Sequence, residues 1–217
     1  MDVYLLPGGR IRRAVARSGQ RELLESEIEE IGGLRVTTRL RTTCDLGMKL
    51  PRRQAFAVMC SMLKVADFTQ DDIRRQADVR FKGHRWVRQL RALSPLCDPR
   101  FQSAAECQLA LVWLETPGLP PFEPQFQVDG PDGYFYLDFA VPGLRYAAEY
   151  DGEEWHGEDL AEADLARRTW LETSDGWCFD IFVAEDLRGS GQRASDKLIL
   201  GITEARRTYA HRRRVVR

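Results

Sequence analysis

No stretch of the chain approaches the roughly eighteen consecutive apolar residues that a membrane span needs, and the N-terminus lacks the charged, apolar and cleavage regions of a secretory signal. The expectation is a cytosolic chain with no membrane partner. Lysine is scarce: Lys49, Lys64, Lys82 and Lys197 are the only four, so arginine carries nearly all the positive charge. Cysteine is too sparse and scattered to organise a fold. Cys44, Cys60, Cys97, Cys107 and Cys178 are odd in number, with no CxxC or CxxH among them. That excludes a disulfide framework and a structural zinc site, and leaves reduced thiols, most of them buried.

What remains is the composition of a folded, water-soluble protein, 43% apolar and 30% charged, with 217 residues for one sizeable core or two small ones. The formal net charge is −1, but the arginines are unevenly placed. Arg10, Arg12, Arg13 and Arg17 cluster near the start, Arg85, Arg88 and Arg91 recur at helical spacing, and six crowd the segment after Ala205. The planar guanidinium pairs bidentately with oxyanions, so local patches permit nucleic-acid binding despite overall neutrality. Such patches equally arise from genome base composition.

Two β-like runs, Val3 to Leu6 and Ile11 to Ala16, open the chain, followed by an acidic segment, Glu22 to Glu30, closed by Gly32-Gly33. So short a strand pair is marginal without further partners, so the opening is expected to dock on the rest or to belong to a larger N-terminal unit. Helix signals follow: a cap at Thr37 or Thr38 with a helix to Leu46; Pro51 opening a second with Phe56, Met59, Cys60 and Leu63 on one face; and Thr69-x-x-Asp72 as a capping box. A fourth helix, His84 to Leu93, has Trp86, Val87, Leu90 and Leu93 on its apolar face. Residues 1–99 therefore read as short strands with a mainly helical layer.

In residues 100–217, Ser103 is an N-cap with Glu106 three residues on, so Glu106 has a complete structural explanation as a capping carboxylate. Gln125 to Val128 is a strand, Pro131-Asp132-Gly133 a turn, Glu158 to Thr173 a helix with Asp164 and Arg167 as an i, i+3 pair, Trp177 to Val183 a buried strand, and Arg193 to Ala210 the last helix. The expected fold is α/β, a mixed sheet with an antiparallel three-stranded meander flanked by helices.

The chemistry lies in the hairpin between Tyr134 and Tyr150. Two aromatic-rich runs are separated by Pro142-Gly143, which reads as a two-residue turn. That turn pairs Asp138 with a residue near Ala147 or Ala148 and brings Glu149 to neighbouring-pair distance; Asp151 leaves the same strand face as Glu149. Three carboxylates so close need a compensating cation, and a divalent metal with oxygen ligands is the natural one. The alternative is a solvated strand edge carrying scattered acids.

The ordered set Glu106, Gln125, Asp138, Glu149-Tyr150-Asp151-Gly152, Trp155-His156, Asp164, Arg167 and Gly176-Trp177 resembles the PD-(D/E)xK nuclease superfamily, in particular its Vsr-like endonuclease branch, over Ser103 to about Val183. Residues 34–99 look like the helical region that precedes this domain in actinobacterial proteins related to the AbiEi family of type IV antitoxins. Those proteins usually begin with a winged-helix domain that this chain lacks, so the opening is expected to be its remnant.

The resemblance implies a restriction-endonuclease-like fold and Mg²⁺- or Mn²⁺-dependent hydrolysis of DNA phosphodiesters. Asp138 is then the central metal ligand, with Glu149 or Asp151 and Glu106 completing an oxygen site. It implies further that His156 serves as general base or holds the water, and that Arg167 or Arg168 binds a phosphate oxygen, with Gln125 in the same site. Where the superfamily carries E-x-K, this chain has Glu149-Tyr150-Asp151, and the lysine is missing. Trp155, Trp170 and Trp177 read as core or lid aromatics, and His156 and the Asp164/Arg167 pair also have plain structural readings. Two functions stay open: a metal-dependent endonuclease or nickase, and a non-cleaving DNA-binding or antitoxin-type regulator on the same fold, with a toxin or host-defence partner.

Overall fold

The computed structural model describes residues 2–5, 17–20, 22–131, 133–152 and 165–215, with side chains from residue 22 to 212 within those ranges. Local capping chemistry fixes the helical layer. Thr38 accepts the Arg41 N–H at 3.3 Å and starts α1 (Arg39–Lys49), which runs three residues past Leu46. Pro51, with its fixed φ, leads into α2 (Arg52–Val65). Thr69 and Asp72 bond reciprocally at the start of α3 (Gln70–Arg75), the expected capping box. The fourth helix, α4 (Val87–Leu93), begins three residues later than the spacing predicts, because His84 to Trp86 form a turn after Gly83 at φ 82°. Val87, Leu90 and Leu93 are buried as expected, but Trp86 is not.

The first two strands of the main sheet are longer than the runs read from the sequence and the last two are shorter. A four-stranded sheet has the order β5 (Glu123–Gly130), β6 (Gly133–Val141), β7 (Tyr146–Tyr150), β8 (Cys178–Phe182). Its first two pairings are antiparallel and the last parallel, the mixed meander that the pattern implied. Parallel pairing needs a crossover, here residues 151–177, which include α6 (residues 165–170) and a wide turn Leu171–Asp175 ended by Gly176 at φ 73°. The β6–β7 connection departs from expectation. Pro142–Leu144 form a 3-10 turn and Arg145 adopts the left-handed conformation, so the loop has four residues rather than two and β7 starts at Tyr146.

Two helices complete the sheet region. α5 (Ala104–Glu115) is apolar on nearly every side because it lies between α2 and the sheet. The long α7 (Gln192–Val215) packs along β7 and β8. One hydrophobic core runs from Cys44, Phe56 and Met59 through Leu111 and Trp113 to Phe139, Tyr146, Phe182 and Leu198, so residues 1–99 and 100–217 share it. Its centre is an aromatic cluster, with Phe122 5.0 Å from Trp113 and 5.2 Å from Phe139. A second cluster, Val128, Leu137, Leu171 and Trp177, with Trp170 packed against it, joins the sheet to α6 and its turn. Trp177 is therefore buried in the core, and the half-buried Trp170 packs on its edge.

The N-terminal segment differs most from its reading. β1 (Asp2–Leu5) pairs in parallel with β2 (Arg17–Gln20), while the expected strand Ile11 to Ala16 lies outside the described residues. The acidic segment holds β3 (Ile28–Ile31), which forms a hairpin with β4 (Leu34–Thr37). Gly32 and Gly33, at φ 59° and 79°, supply the two positive angles that such a tight turn requires. Glu29 and Glu30 hid this strand from a hydrophobicity reading. No described helix is long and apolar enough to cross a membrane, and the described cysteines are all free, four of them buried.

Candidate active site: a carboxylate row across the sheet

Sheet register gathers the predicted residues into one row. The pairs Phe139↔Ala148 and Ala140↔Ala147 put Asp138 opposite Glu149, one step closer than a two-residue turn implied. On the other side, Pro124↔Phe139 and Phe126↔Leu137 put Gln125 opposite Asp138. Glu149 is followed across the parallel pair by Ile181, so the polar row ends at β8.

Gln125 stands at φ 53°, rare for a residue with a side chain. An outlier of this kind is found where a site needs a particular side-chain direction. Here the amide Nε2 donates to Asp138 Oδ1 at 3.3 Å and Glu106 Oε2 at 3.4 Å, bridging the two carboxylates. Asp138 Oδ2 also accepts the Tyr150 N–H at 3.0 Å. Its hydrogen-bond partners are thus neutral. Burial, reinforced by the nearby negative charge of Glu106, pushes the Asp138 carboxyl up to about 6.

Glu106 does only half of what its capping position predicts. Ser103 accepts the Glu106 N–H at 3.1 Å, but the Glu106 carboxylate accepts from Gln102 N–H at 2.8 Å and turns its remaining capacity to Gln125. It is 6% exposed, so the cap carboxylate is also a buried member of the row.

Glu149 has a different environment from Asp138. Arg167 grips it bidentately, Nη1 to Oε1 at 3.0 Å and Nη2 to Oε2 at 2.9 Å, and Arg168 Nε adds a contact at 3.3 Å. Burial still raises its pKa, with Asp138 adding to the rise and the two arginines opposing it. Both guanidiniums come from α6, which the crossover lays over this sheet face. Arg168 also reaches Asp151 at 3.7 Å. The Asp151 side chain is 41% exposed, so Asp151 sits at the rim through Arg168 instead of joining the buried row.

The structure thus brings together Glu106, Gln125, Asp138, Glu149, Arg167 and Arg168. His156, Trp155 and Asp164 lie outside the described residues. Lys197 does not replace the missing lysine, since its ammonium bonds Ile181 O and Asp186. Among the described residues, no three Asp, Glu, His or Cys side chains converge as a ready cation cage. The donor set still suits a hard divalent cation: oxygen ligands only, with Asp138 lacking a cationic hydrogen-bond partner. Mg²⁺ commonly takes only one or two protein carboxylates, its other positions held by water and substrate phosphate. A third protein ligand is therefore not required. The presence of Gln125 in the site had one sequence signal, the resemblance that included it; its bridging role and the φ that aims it had none.

The row lies apart from two cavities among the described residues. One, of about 580 Å³, lies between the start of α2, α5 and the start of α7, and the other, of about 350 Å³, is lined by Arg41, Asp45, Arg80 and Lys82. No family model matches the chain, and no solved structure matches it. Over 202 residues, 92% of this chain and 73% of theirs, it is 28% identical to two Mycobacterium tuberculosis proteins, the uncharacterized protein MT2308 of strain CDC 1551 / Oshkosh and the uncharacterized protein Rv2248 of strain ATCC 25618 / H37Rv.

Proposed function

We propose that the chain is a divalent-cation-dependent DNA endonuclease or nickase of the PD-(D/E)xK type, working at the Asp138–Glu149 row. The observation that carries this reading is the half-buried Asp138, held beside the buried Glu106 and opposite the buried Glu149 by neutral partners. Such an arrangement costs stability unless something positive arrives.

Asp138 and Glu149 would hold Mg²⁺ or Mn²⁺, with Glu106 acting through Gln125 to orient Asp138. A bound cation of this kind acidifies a water and neutralises charge growing on a phosphate. The chain's own residues do the rest. Above about pH 6 Asp138 is ionised and ready as a ligand. Arg167 and Arg168 present guanidiniums to a phosphate oxygen, exchanging one carboxylate partner for another oxyanion. His156, five residues past Asp151, is the candidate proton acceptor in place of the absent lysine. The direct test is supercoiled plasmid incubated with the protein and Mg²⁺ or Mn²⁺. Nicked or linear product that disappears in Asp138→Asn and Glu149→Gln is expected; no product, or product indifferent to both substitutions, would overturn the reading.

One observation favours a second reading, a DNA-binding regulator that keeps the fold without cutting. Arg167 and Arg168 already neutralise Glu149, as they would in a site that needs no metal. That reading expects salt-sensitive DNA binding that survives Asp138→Asn, and a toxin or host-defence partner enters through it.

A further inference from the structure

Trp86 has no role in the core. Its spacing with Val87, Leu90 and Leu93 places it on their face, yet those three are buried and Trp86 is 50% exposed, on the turn that leads into α4. Every residue from Lys82 to Trp86 is exposed, as is Arg88. From Val79 to Cys97 the chain carries five basic residues, Arg80, Lys82, Arg85, Arg88 and Arg91, and no Asp or Glu. Arg80 is answered by Glu27 and Arg91 by Asp78. Among the described residues, no carboxylate pairs with Lys82, Arg85 or Arg88. The Arg85 guanidinium lies 4.6 Å from the centre of the Trp86 ring, so one ring is flanked by cation while much of its surface meets solvent.

We infer that the turn from Lys82 to Arg88 is a binding surface for an unpaired nucleic-acid strand, with Trp86 stacking on a base and Lys82, Arg85 and Arg88 taking the neighbouring phosphates. Three exposed cations within seven residues, one of them against an exposed indole, match a polyanion that also presents flat rings, the combination by which single strands are held without sequence readout. A duplex offers the phosphates but keeps its base faces stacked inside, so it gains nothing from Trp86. The surface is separate from the carboxylate row, and the inference stands whether or not that row cleaves.

Fluorescence anisotropy with a labelled oligothymidylate of about 20 nucleotides, well beyond a single stacking site, tests it on the full chain. Trp86→Ala weakens this binding by about tenfold, and Trp86→Phe restores most of it, in line with base–aromatic stacking. Arg85→Ala and Arg88→Ala each lower the slope of log affinity against log salt by about 0.7, one phosphate contact apiece. A duplex of the same length loses little on Trp86→Ala. Far-UV circular dichroism confirms the fold of each variant, which exposed positions should preserve. No oligothymidylate binding by the wild type, or Trp86→Ala binding within about twofold of wild type despite the expected stacking loss, overturns the inference.

Discussion

Asp138 and Glu149 face each other across two strands, yet burial acts on them with different consequences because only Glu149 has guanidinium partners. Between the ordinary aspartate value of 3.8 and about 6, folded Asp138 keeps a proton that the unfolded chain releases. Stability therefore falls as pH rises through that window, and the cost, roughly 3 kcal/mol at 1.36 kcal/mol per unit, is complete above it. Asp138→Asn should raise urea-denaturation stability by up to roughly that amount near pH 8 and leave it unchanged near pH 3.5. An Asn variant no more stable than wild type at the higher pH would mean that Asp138 is already compensated. Arg167→Ala should act in the opposite sense. It strips Glu149 of its bidentate partner and should cost roughly 3 kcal/mol at neutral pH, the scale of breaking a buried pair. Lowering the pH should relieve that loss by protonating Glu149, whose pKa burial raises; a pH-independent loss would point to packing alone. The alternation of acids within β6 and β7 was legible in the sequence, because a carboxylate between Leu137 and Phe139 has no core role. The arginine grip on Glu149 was not legible: the resemblance put Arg167 or Arg168 on a phosphate oxygen, and no spacing rule tells an i, i+3 partner on a helix from a partner across a sheet.

Elements with local signals were read well and those set by tertiary contact were not. Capping oxygens at Thr38, Thr69 and Ser103 marked three helix starts that the structure keeps. The β3–β4 hairpin was missed because Glu29 and Glu30 interrupt its apolar pattern, and α4 lost its first turn to Gly83. Gly201 shows what sequence reading cannot supply. Midway along α7, it faces the Tyr146–Asp180 hydrogen bond of 2.7 Å. A Cβ there would overlap Asp180 Oδ2 and lie 2.8 Å from the Tyr146 ring. Gly201→Ala should thus push α7 off β7 and β8 and cost about 2 to 3 kcal/mol, the range of overpacked cores. The urea midpoint measures it, and Asp180→Ala should recover part of the loss. An unchanged midpoint would show that the helix has room to shift.

At the scale of the whole molecule, the helical layer and the sheet are tied by one core and by pairs such as Arg53 with Leu187 O and Arg52 with Glu115. Tryptophan fluorescence and far-UV circular dichroism should then report coincident urea transitions, as for a single cooperative unit. Two separated transitions would divide the chain near residue 99. This architecture presents the carboxylate row on the α6 face of the sheet, beneath Arg167 and Arg168, and the central claim is that the row is a cation site. Calorimetric titration of Mn²⁺ into the protein near pH 7.5, above the pH at which Asp138 ionises, tests that most directly. The account predicts saturable binding that is lost in Asp138→Asn and weakened near pH 5, where Asp138 holds its proton. Absence of binding in the wild type, or equal binding in the variant, would contradict it.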